Sequence, residues 1–452
     1  GRRARAVAGR RAEGAAVTPF EIGLLSLVAM VALVIGGLFV PVALMLCSYV
    51  GVWALKGSPE LAGRLLALAA NDAIQSYFFG VVPLFVLMGF LVAEAGLGRD
   101  AFEVAESAFR RVRGGLGLAT IGANAAFAAV TGISIASAAV FARLATPEMT
   151  RRGYTARFAT GVVAGSSVLG MLIPPSLLLI LYALLTEQSV GDLFLAGVLP
   201  GLLLALLFGG TVLLLARRFP GFVGAEALRV SEGPGLSTRE AAGKGAPLVA
   251  LILLTLGGIY GGLFTPIEAG AVGALGALLI GLAKRRLTAA ALWRVVTETG
   301  LVTAAICFLL IAAQMYSRML ALSGVPAGFG DFVATAEIGT WGVILAYVAL
   351  TIALGTILDS SSIMLILVPL MLPVVQGLGL DLVWFGIVTV IAVEIGLLTP
   401  PFGISVYVIR STLGEDGPPL GEIFKGAAPF ALAMLLALAA VLVFPGLATA
   451  LI

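Results

Sequence analysis

Residues 131–137 read Thr-Gly-Ile-Ser-Ile-Ala-Ser (TGISIAS), and residues 359–362 read Asp-Ser-Ser-Ser (DSSS). Each small-polar run sits near the middle of an apolar stretch, 115–146 and 341–374, that is too long for one membrane crossing. A hydrocarbon core of about 30 Å takes roughly 20 apolar residues in a helix. Backbone released from helical hydrogen bonding at that depth is tolerated only where protein or a wet cavity satisfies it. Both stretches therefore read as re-entrant hairpins whose tips lie near the bilayer midplane.

The rest of the chain fits the same solvent. Apolar segments at about 20–40, 41–55, 78–96, 158–185, 192–216, 246–263, 267–283, 299–320, 382–410 and 427–448 each read as a spanning segment. Of the 452 residues, 60% are hydrophobic and 11% charged, and the mean hydropathy is +1.12. Soluble domains carry about 25% charged residues, so a soluble multi-domain enzyme is excluded. The 58 glycines suit membrane helices, where small residues let backbones approach closely. A net charge of +3 is too small and dispersed for a nucleic-acid partner. Histidine is absent, which removes His-based triads, general bases and metal sites. Cys47 and Cys307 lie in apolar stretches without ligand spacing and read as small core hydrophobes.

The two hairpins belong to two similar halves. A shift of 226 aligns Ser134 with Ser360, Leu144 with Leu370, Pro147 with Pro373, Gly153 with Gly379, Gly170 with Gly396, Leu172 with Leu398, Pro174 with Pro400 and Pro175 with Pro401. Most of these are Gly or Pro, the residues that fix unusual backbone. The resulting division is a basic N-terminal segment or linker at 1–19, a first repeat at 20–216 with hairpin 115–146, a cytoplasmic loop at 217–245, and a second repeat at 246–452 with hairpin 341–374. Five crossings per repeat make the second half inverted in the membrane. The expected fold is an all-α polytopic membrane protein of two inverted repeats, each with one re-entrant hairpin. Inverted repeats with interrupted helices are the sequence signature of secondary transporters.

Arginine placement supplies the orientation. Arg99, Arg110, Arg111 and Arg113 precede the first hairpin, and Arg143, Arg151, Arg152 and Arg157 follow its tip. The segments 323–340 and 375–381 around the second hairpin hold no Lys or Arg. The positive-inside rule has the first hairpin entering from the cytoplasm and the second from the opposite side. The loop 217–245, with Arg217, Arg218, Arg229, Arg239 and Lys244, then falls inside, as do Lys284, Arg285 and Arg286. The same count puts the N-terminus outside, in conflict with Arg2, Arg3, Arg5, Arg10 and Arg11. Either an upstream crossing is missing or the first helix is misassigned, and the inverted-repeat count favours the former. The chain begins with Gly1 rather than Met, so its start is a processed, trimmed or internal point.

The candidate site residues follow from the tips. Hard cations such as Na⁺ prefer oxygen ligands, and Thr131, Gly132, Ser134 and Ser137 in one tip, with Asp359, Ser360, Ser361 and Ser362 in the other, supply them twice. The half-helices after each tip aim positive N-terminal dipoles at the midplane, where an anionic substrate group fits. Simple close packing or helix capping by small residues is the competing reading, and two clusters related by a repeat favour the site. Asp359 stands out because an ionisable group within a membrane is costly; a hydrated position near the interface is its competing reading. The breaks MLIPPS at 171–176 and LLTPPFG at 397–403 leave carbonyls without intrahelical donors. Gly170, Gly396 and Thr399 thereby join the candidate cation ligands; Ser134, Pro174, Pro175, Ser362, Pro400 and Pro401 are the candidate substrate contacts. The alternative, a structural kink, is compatible with both roles. Glu394, five residues before Thr399, reads as a proton site, a cation ligand or a structural group holding the broken helix, with the last preferred. Glu94 and Glu268 read as solvated helix-end residues. Arg318 and Arg410 fall near helix ends, so no intramembrane Arg marks a carboxylate partner.

These motifs resemble a known family. TGISIAS, PEMTRRGY at 147–154 and LGMLIPPSLLLILYALLTEQSVGDLFLAGVLPG at 169–201 are similar to the large membrane subunit of tripartite ATP-independent periplasmic (TRAP) transporters. So are EAGAVGA at 268–274, ILDSSS, VPLMLPVV at 368–375, and DLVWFGIVTV with EIGLLTPPFG at 381–403. The likeness runs from about residue 22 to the C-terminus. At the first tip the family usually has a Ser pair after Gly, where this chain has Gly132, Ile133 and Ser134. The resemblance implies an elevator-type, Na⁺-coupled importer of organic acids in the bacterial inner membrane, with Na⁺ as the coupling ion and no cofactor. It also implies a small four-helix membrane subunit and a periplasmic substrate-binding protein. The basic stretch 1–19 would then be a linker from a small subunit fused upstream of Gly1. A stand-alone carboxylate symporter or H⁺ antiporter is the alternative. An intramembrane enzyme finds no support, since G-x-S-x-G and H-E-x-x-H motifs are missing from the sequence.

Overall fold

The computed structural model describes residues 17–75, 80–225, 235–335 and 339–452. The basic residues at 1–14 and Arg229 lie outside them. The described residues are helical with no strand. Seven of their helices are long and apolar enough to cross a membrane, or eight if Val81–Glu94 and Leu97–Phe109, bent by 61° at their junction, form one span. The sequence suggested ten crossings besides the hairpins. Six of the seven match expected crossings, and the seventh is Ser360–Gly377, which the sequence placed in the second hairpin. Of the other four expected crossings, 78–96 falls in the bent pair, and Pro19–Ile35, Val40–Lys56 and Leu382–Leu398 are 17 residues each, about 25 Å of helix rise and less than a 30 Å core.

Contacts divide the chain into two compact units, one of residues 1–76, 307–339 and 369–377, the other of 77–306, 340–368 and 378–452. In the first unit, Pro19–Ile35 packs on Val40–Lys56, which packs on Pro59–Gln75. Ser26 Oγ donates to the Gly23 carbonyl at 2.6 Å and lies 3.3 Å from the Tyr316 hydroxyl, and Arg318 pairs with Asp72. Cys47 is buried and Cys307 half-buried; both are free thiols, so Cys307 is less enclosed than its apolar neighbours suggested.

The second unit holds both tips and both proline breaks. Every residue of Leu382–Leu398 after the first is buried, as is every residue of Ala156–Ser167 from Phe158 onward. Ala156–Ser167 packs against Leu420–Val443, and the closest approach is backbone to backbone. A Cβ on Gly161 would overlap the Gly426 carbonyl, and one on Gly426 would overlap the Arg157 carbonyl.

Some element boundaries match at the offset of 226. Ser134–Arg151 recurs 226 residues on as Ser360–Gly377, and Ala156–Ser167 with Leu169–Leu172 recurs as Leu382–Leu398. Both Pro-Pro bonds, Pro174–Pro175 and Pro400–Pro401, are cis. The first break is narrower than expected and the second lies earlier, at 356–359. The first leg runs Gly115–Thr131 and the second starts at Ser134, so only Gly132 and Ile133 are non-helical. In the second hairpin, Gly339–Gly355 gives way to Ser360–Gly377, which puts three of the four DSSS residues inside the helix.

Several of the basic residues used for the orientation pair with acids on Leu97–Phe109. Lys284 and Arg286 pair with Asp100, whose side chain is 2% exposed; Lys244 pairs with Glu103 and Arg152 with Glu106. Arg286 Nη1 also donates to the Ala95 carbonyl at 3.0 Å, covering the C-terminus of Val81–Glu94. Glu94 pairs with Arg294 at 2.6 Å. Glu268 sits at a helix end as expected, its carboxylate accepting from the Thr265 backbone at 2.8 Å in a capping box.

The glycine contact gives a direct test. Gly161→Ala forces the helices apart and is expected to lower stability by about 1–3 kcal/mol, the range for overpacking. Gly210→Ala, in open space within Val190–Arg218, is expected to stay within about 0.5 kcal/mol. Thermal unfolding of the two variants in detergent checks the ordering.

Candidate functional site

Each tip is packed on the proline break of its own half. Gly132 closes the first leg with φ +66°, a conformation costly for a residue with a Cβ, and a Cβ there would lie 2.5 Å from the Pro175 carbonyl oxygen. The Gly132 carbonyl accepts from the Leu177 amide at 3.1 Å. In the second half the Thr356 carbonyl accepts from the Gly403 amide at 3.3 Å, and Gly403 is the residue 226 beyond Leu177. Gly170 and Gly396 occupy matching places. A Cβ on Gly170 would lie 3.1 Å from the Ser134 amide nitrogen, and one on Gly396 would lie 2.5 Å from Gly355 Cα.

Both returning legs begin with a serine whose hydroxyl reaches one carboxylate. Ser134 Oγ donates to Glu394 Oε2 at 2.8 Å, and Ser360 Oγ donates to Glu394 Oε1 at 3.2 Å. All three are buried, Glu394 to 1% exposure. Among the described residues no Lys or Arg pairs with Glu394. The sequence preference for a structural Glu394 thus captured its hydrogen bonding but missed its partners, which lie outside its own helix. The available signal was a lone acid deep in the apolar run 382–398.

The other candidate residues distribute as follows. Thr131 Oγ1 donates to the Phe127 carbonyl at 3.0 Å and Thr399 Oγ1 to the Ile395 carbonyl at 2.7 Å, so each hydroxyl oxygen keeps lone pairs for another contact. The Ser137 hydroxyl is buried without a hydrogen-bond partner, as are Asn124 Oδ1 and the Ser405 hydroxyl. Asp359 caps its leg: its carboxylate accepts from the Ser362 amide at 3.1 Å and from the Ser362 hydroxyl. That is N-cap geometry, and Asp359 and Ser361 are half-buried. Ser362 is buried. The breaks differ in access, since Pro174 and Pro175 are buried while Pro400, Pro401 and Phe402 are exposed. Arg410 Nη1 donates to the Gly417 carbonyl at 3.0 Å and tidies a turn.

Described residues that are helical throughout, with broken apolar helices packed against two tips, define a polytopic membrane protein. The chain belongs to the family described as tripartite ATP-independent periplasmic transporter, DctM component, which it matches over residues 27–447. It is 33% identical to the C4-dicarboxylate TRAP transporter large permease protein DctM of Pseudomonas aeruginosa, covering 86% of this chain and 89% of that one. It is 31% identical to the isethionate TRAP transporter permease protein DctMQ of Oleidesulfovibrio alaskensis, over 82% of this chain and 58% of that longer one. The fold is similar to that of the Alcanivorax borkumensis YdaH transporter, with a TM-score of 0.56 and 17% identity over 85% and 89% of the two chains. The relatives are named as permeases, which are not enzymes, and this supports a non-enzyme role.

The carboxylate bridge sets a stability order. A typical intramolecular hydrogen bond is worth about 0.5–1.5 kcal/mol, so Ser134→Ala is expected to cost at least that much and Ser360→Ala, with the longer bond, less. Ser361→Ala, whose hydroxyl makes no bond to Glu394, is expected to stay within about 0.5 kcal/mol. Unfolding temperatures of the three in detergent decide; an equal loss for Ser361→Ala contradicts the bridge.

Proposed function

We propose that the chain is the large permease subunit of a Na⁺-coupled, binding-protein-dependent importer of small organic anions, working by an elevator movement in the bacterial inner membrane. The observation that carries this reading is the pairing of two oxygen-rich hairpin tips, each laid on a Pro-Pro break, through a shared buried carboxylate. The two halves are taken as inverted repeats and the hairpins as re-entrant, since odd numbers of crossings and the basic residues flanking only the first hairpin support that topology.

The donor set suits Na⁺ as co-substrate. Thr131, Ser134, Ser137, Asp359, Ser360, Ser361 and Thr399, with the carbonyls of Gly132, Gly170 and Gly396, offer hard oxygens, and the partnerless Ser137 hydroxyl is an oxygen still seeking a contact. The organic anion would meet Ser134, Ser362 and the two proline breaks, with the helix starts at Ser134 and Ser360 contributing positive dipole ends. The exposed Pro400–Pro401 side is the more accessible of the two breaks. Relatives named for C4-dicarboxylates and for isethionate support an anionic cargo; a dicarboxylate, keto acid or sugar acid is the proposed class. Membership of the family implies a small membrane subunit and a soluble binding protein as partners. The longer relative named DctMQ has room for a fused partner of that kind.

Uptake into proteoliposomes containing the chain, its small subunit and its binding protein is expected to need both the binding protein and a Na⁺ gradient. Uptake without the binding protein would favour a stand-alone symporter. Ser134→Ala and Asp359→Asn are each expected to raise the half-saturating Na⁺ concentration by about five- to tenfold, the equivalent of about 1–1.4 kcal/mol. Asparagine keeps an acceptor oxygen for the Ser362 cap, so the helix start survives. Unchanged Na⁺ dependence in both variants would remove the tips from the ion site.

A further inference from the structure

Glu394 joins two elements that the repeat makes equivalent, but it has no equivalent itself. The residue 226 positions earlier is Val168, an apolar side chain, so one carboxylate serves both tips. Each oxygen accepts from the first residue of one returning leg, at 2.8 Å for Ser134 and 3.2 Å for Ser360. A group that only steadied its own broken helix would bond that helix. Glu394 instead reaches serines 260 and 34 residues away in sequence.

Each hydroxyl donates to a different oxygen of the carboxyl group. Each serine oxygen then turns its lone pairs away from Glu394 and toward whatever else the tip holds. The carboxyl group is planar and buried, and among the described residues no Lys or Arg pairs with it, so a shift of one tip is transmitted to the other oxygen.

We propose that Glu394 is a positioning residue that couples the two hairpin tips, so that the state of one is felt at the other through the Ser134–Glu394–Ser360 bridge. As regulation of the proposed transport site it rests on that reading. The coupling is nonetheless measurable without transport, and a structural role confined to each tip would not produce it.

The test uses the full chain in detergent with Cys47→Ala and Cys307→Ala as background. A reporter thiol is placed at an exposed tip residue, either Ile135→Cys in the first tip or Ile357→Cys in the second; the native residues are 37% and 42% exposed. The rate of maleimide labelling is the readout. Ser134→Ala is expected to change the rate at position 357, and Ser360→Ala the rate at position 135, each by about threefold or more, a typical size for coupled residues. In Glu394→Met, a similar volume without acceptors, both cross-tip effects are expected to vanish. Glu394→Gln, which still bridges once one hydroxyl reverses, is expected to keep part of them. Cross-tip effects below about 1.5-fold with Glu394 intact overturn the proposal, as does their persistence at full size in Glu394→Met. If Glu394→Met does not fold, the two serine variants with Glu394 intact decide alone. Repeating the labelling in NaCl and KCl separates the two readings. Sodium that protects neither tip counts against the Na⁺ site, whereas sodium protection without cross-tip effects counts against the coupling only.

Discussion

A helix broken in an apolar environment leaves amide and carbonyl groups that water cannot reach, and each must find a partner within the protein. This constraint organises the second unit. Gly132 ends the first hairpin leg and its carbonyl takes the Leu177 amide, the first helical residue after the Pro174–Pro175 break; Thr356 and Gly403 repeat the arrangement around Pro400–Pro401. The breaks solve each other's hydrogen-bonding problem in pairs. That explains why a hairpin tip and a proline break appear together in each half, and why small residues such as Gly170 and Gly396 face the tips. A larger residue at either place would push the tip off the break and expose the carbonyls both depend on.

The pairing is symmetric and the bridge between the pairs is not. Ser134 and Ser360 correspond under the repeat, while Glu394 corresponds to Val168. Access is also uneven, with the first break buried and the second exposed. Among the described residues the two matching tips thus share the Glu394 carboxyl group while their breaks differ in exposure.

Much of this was legible in the residues. Gly and Pro at an offset of 226 located tips and breaks because their backbone demands are local and leave a mark in sequence. The serines were recognised, yet their setting was misjudged: they start helices rather than forming loops, since Asp359 caps the second leg and Ile133 alone separates Gly132 from Ser134. The role of Glu394 was hidden because hydrogen bonds over 260 residues have no sequence spacing to betray them. Pro59–Gln75 and Leu97–Phe109 were missed for a different reason. Both carry polar residues on one side, so a search for continuous apolar runs passes over them, though Leu97, Ala101 and Phe102 are buried.

The two buried acids of the second unit show how charge is used differently at the two kinds of place. Asp100, 2% exposed, is held by both Lys284 and Arg286, and breaking a buried ion pair costs about 3–5 kcal/mol. That pairing fixes the bend after Val81–Glu94, where Arg286 also holds the Ala95 carbonyl. Glu394 is as buried, and among the described residues it is held by two neutral hydroxyls, each bond worth about 0.5–1.5 kcal/mol. Opposite charges thus hold the bend after Val81–Glu94, whereas the meeting of the two tips rests on weaker bonds between neutral hydroxyls and one carboxyl group.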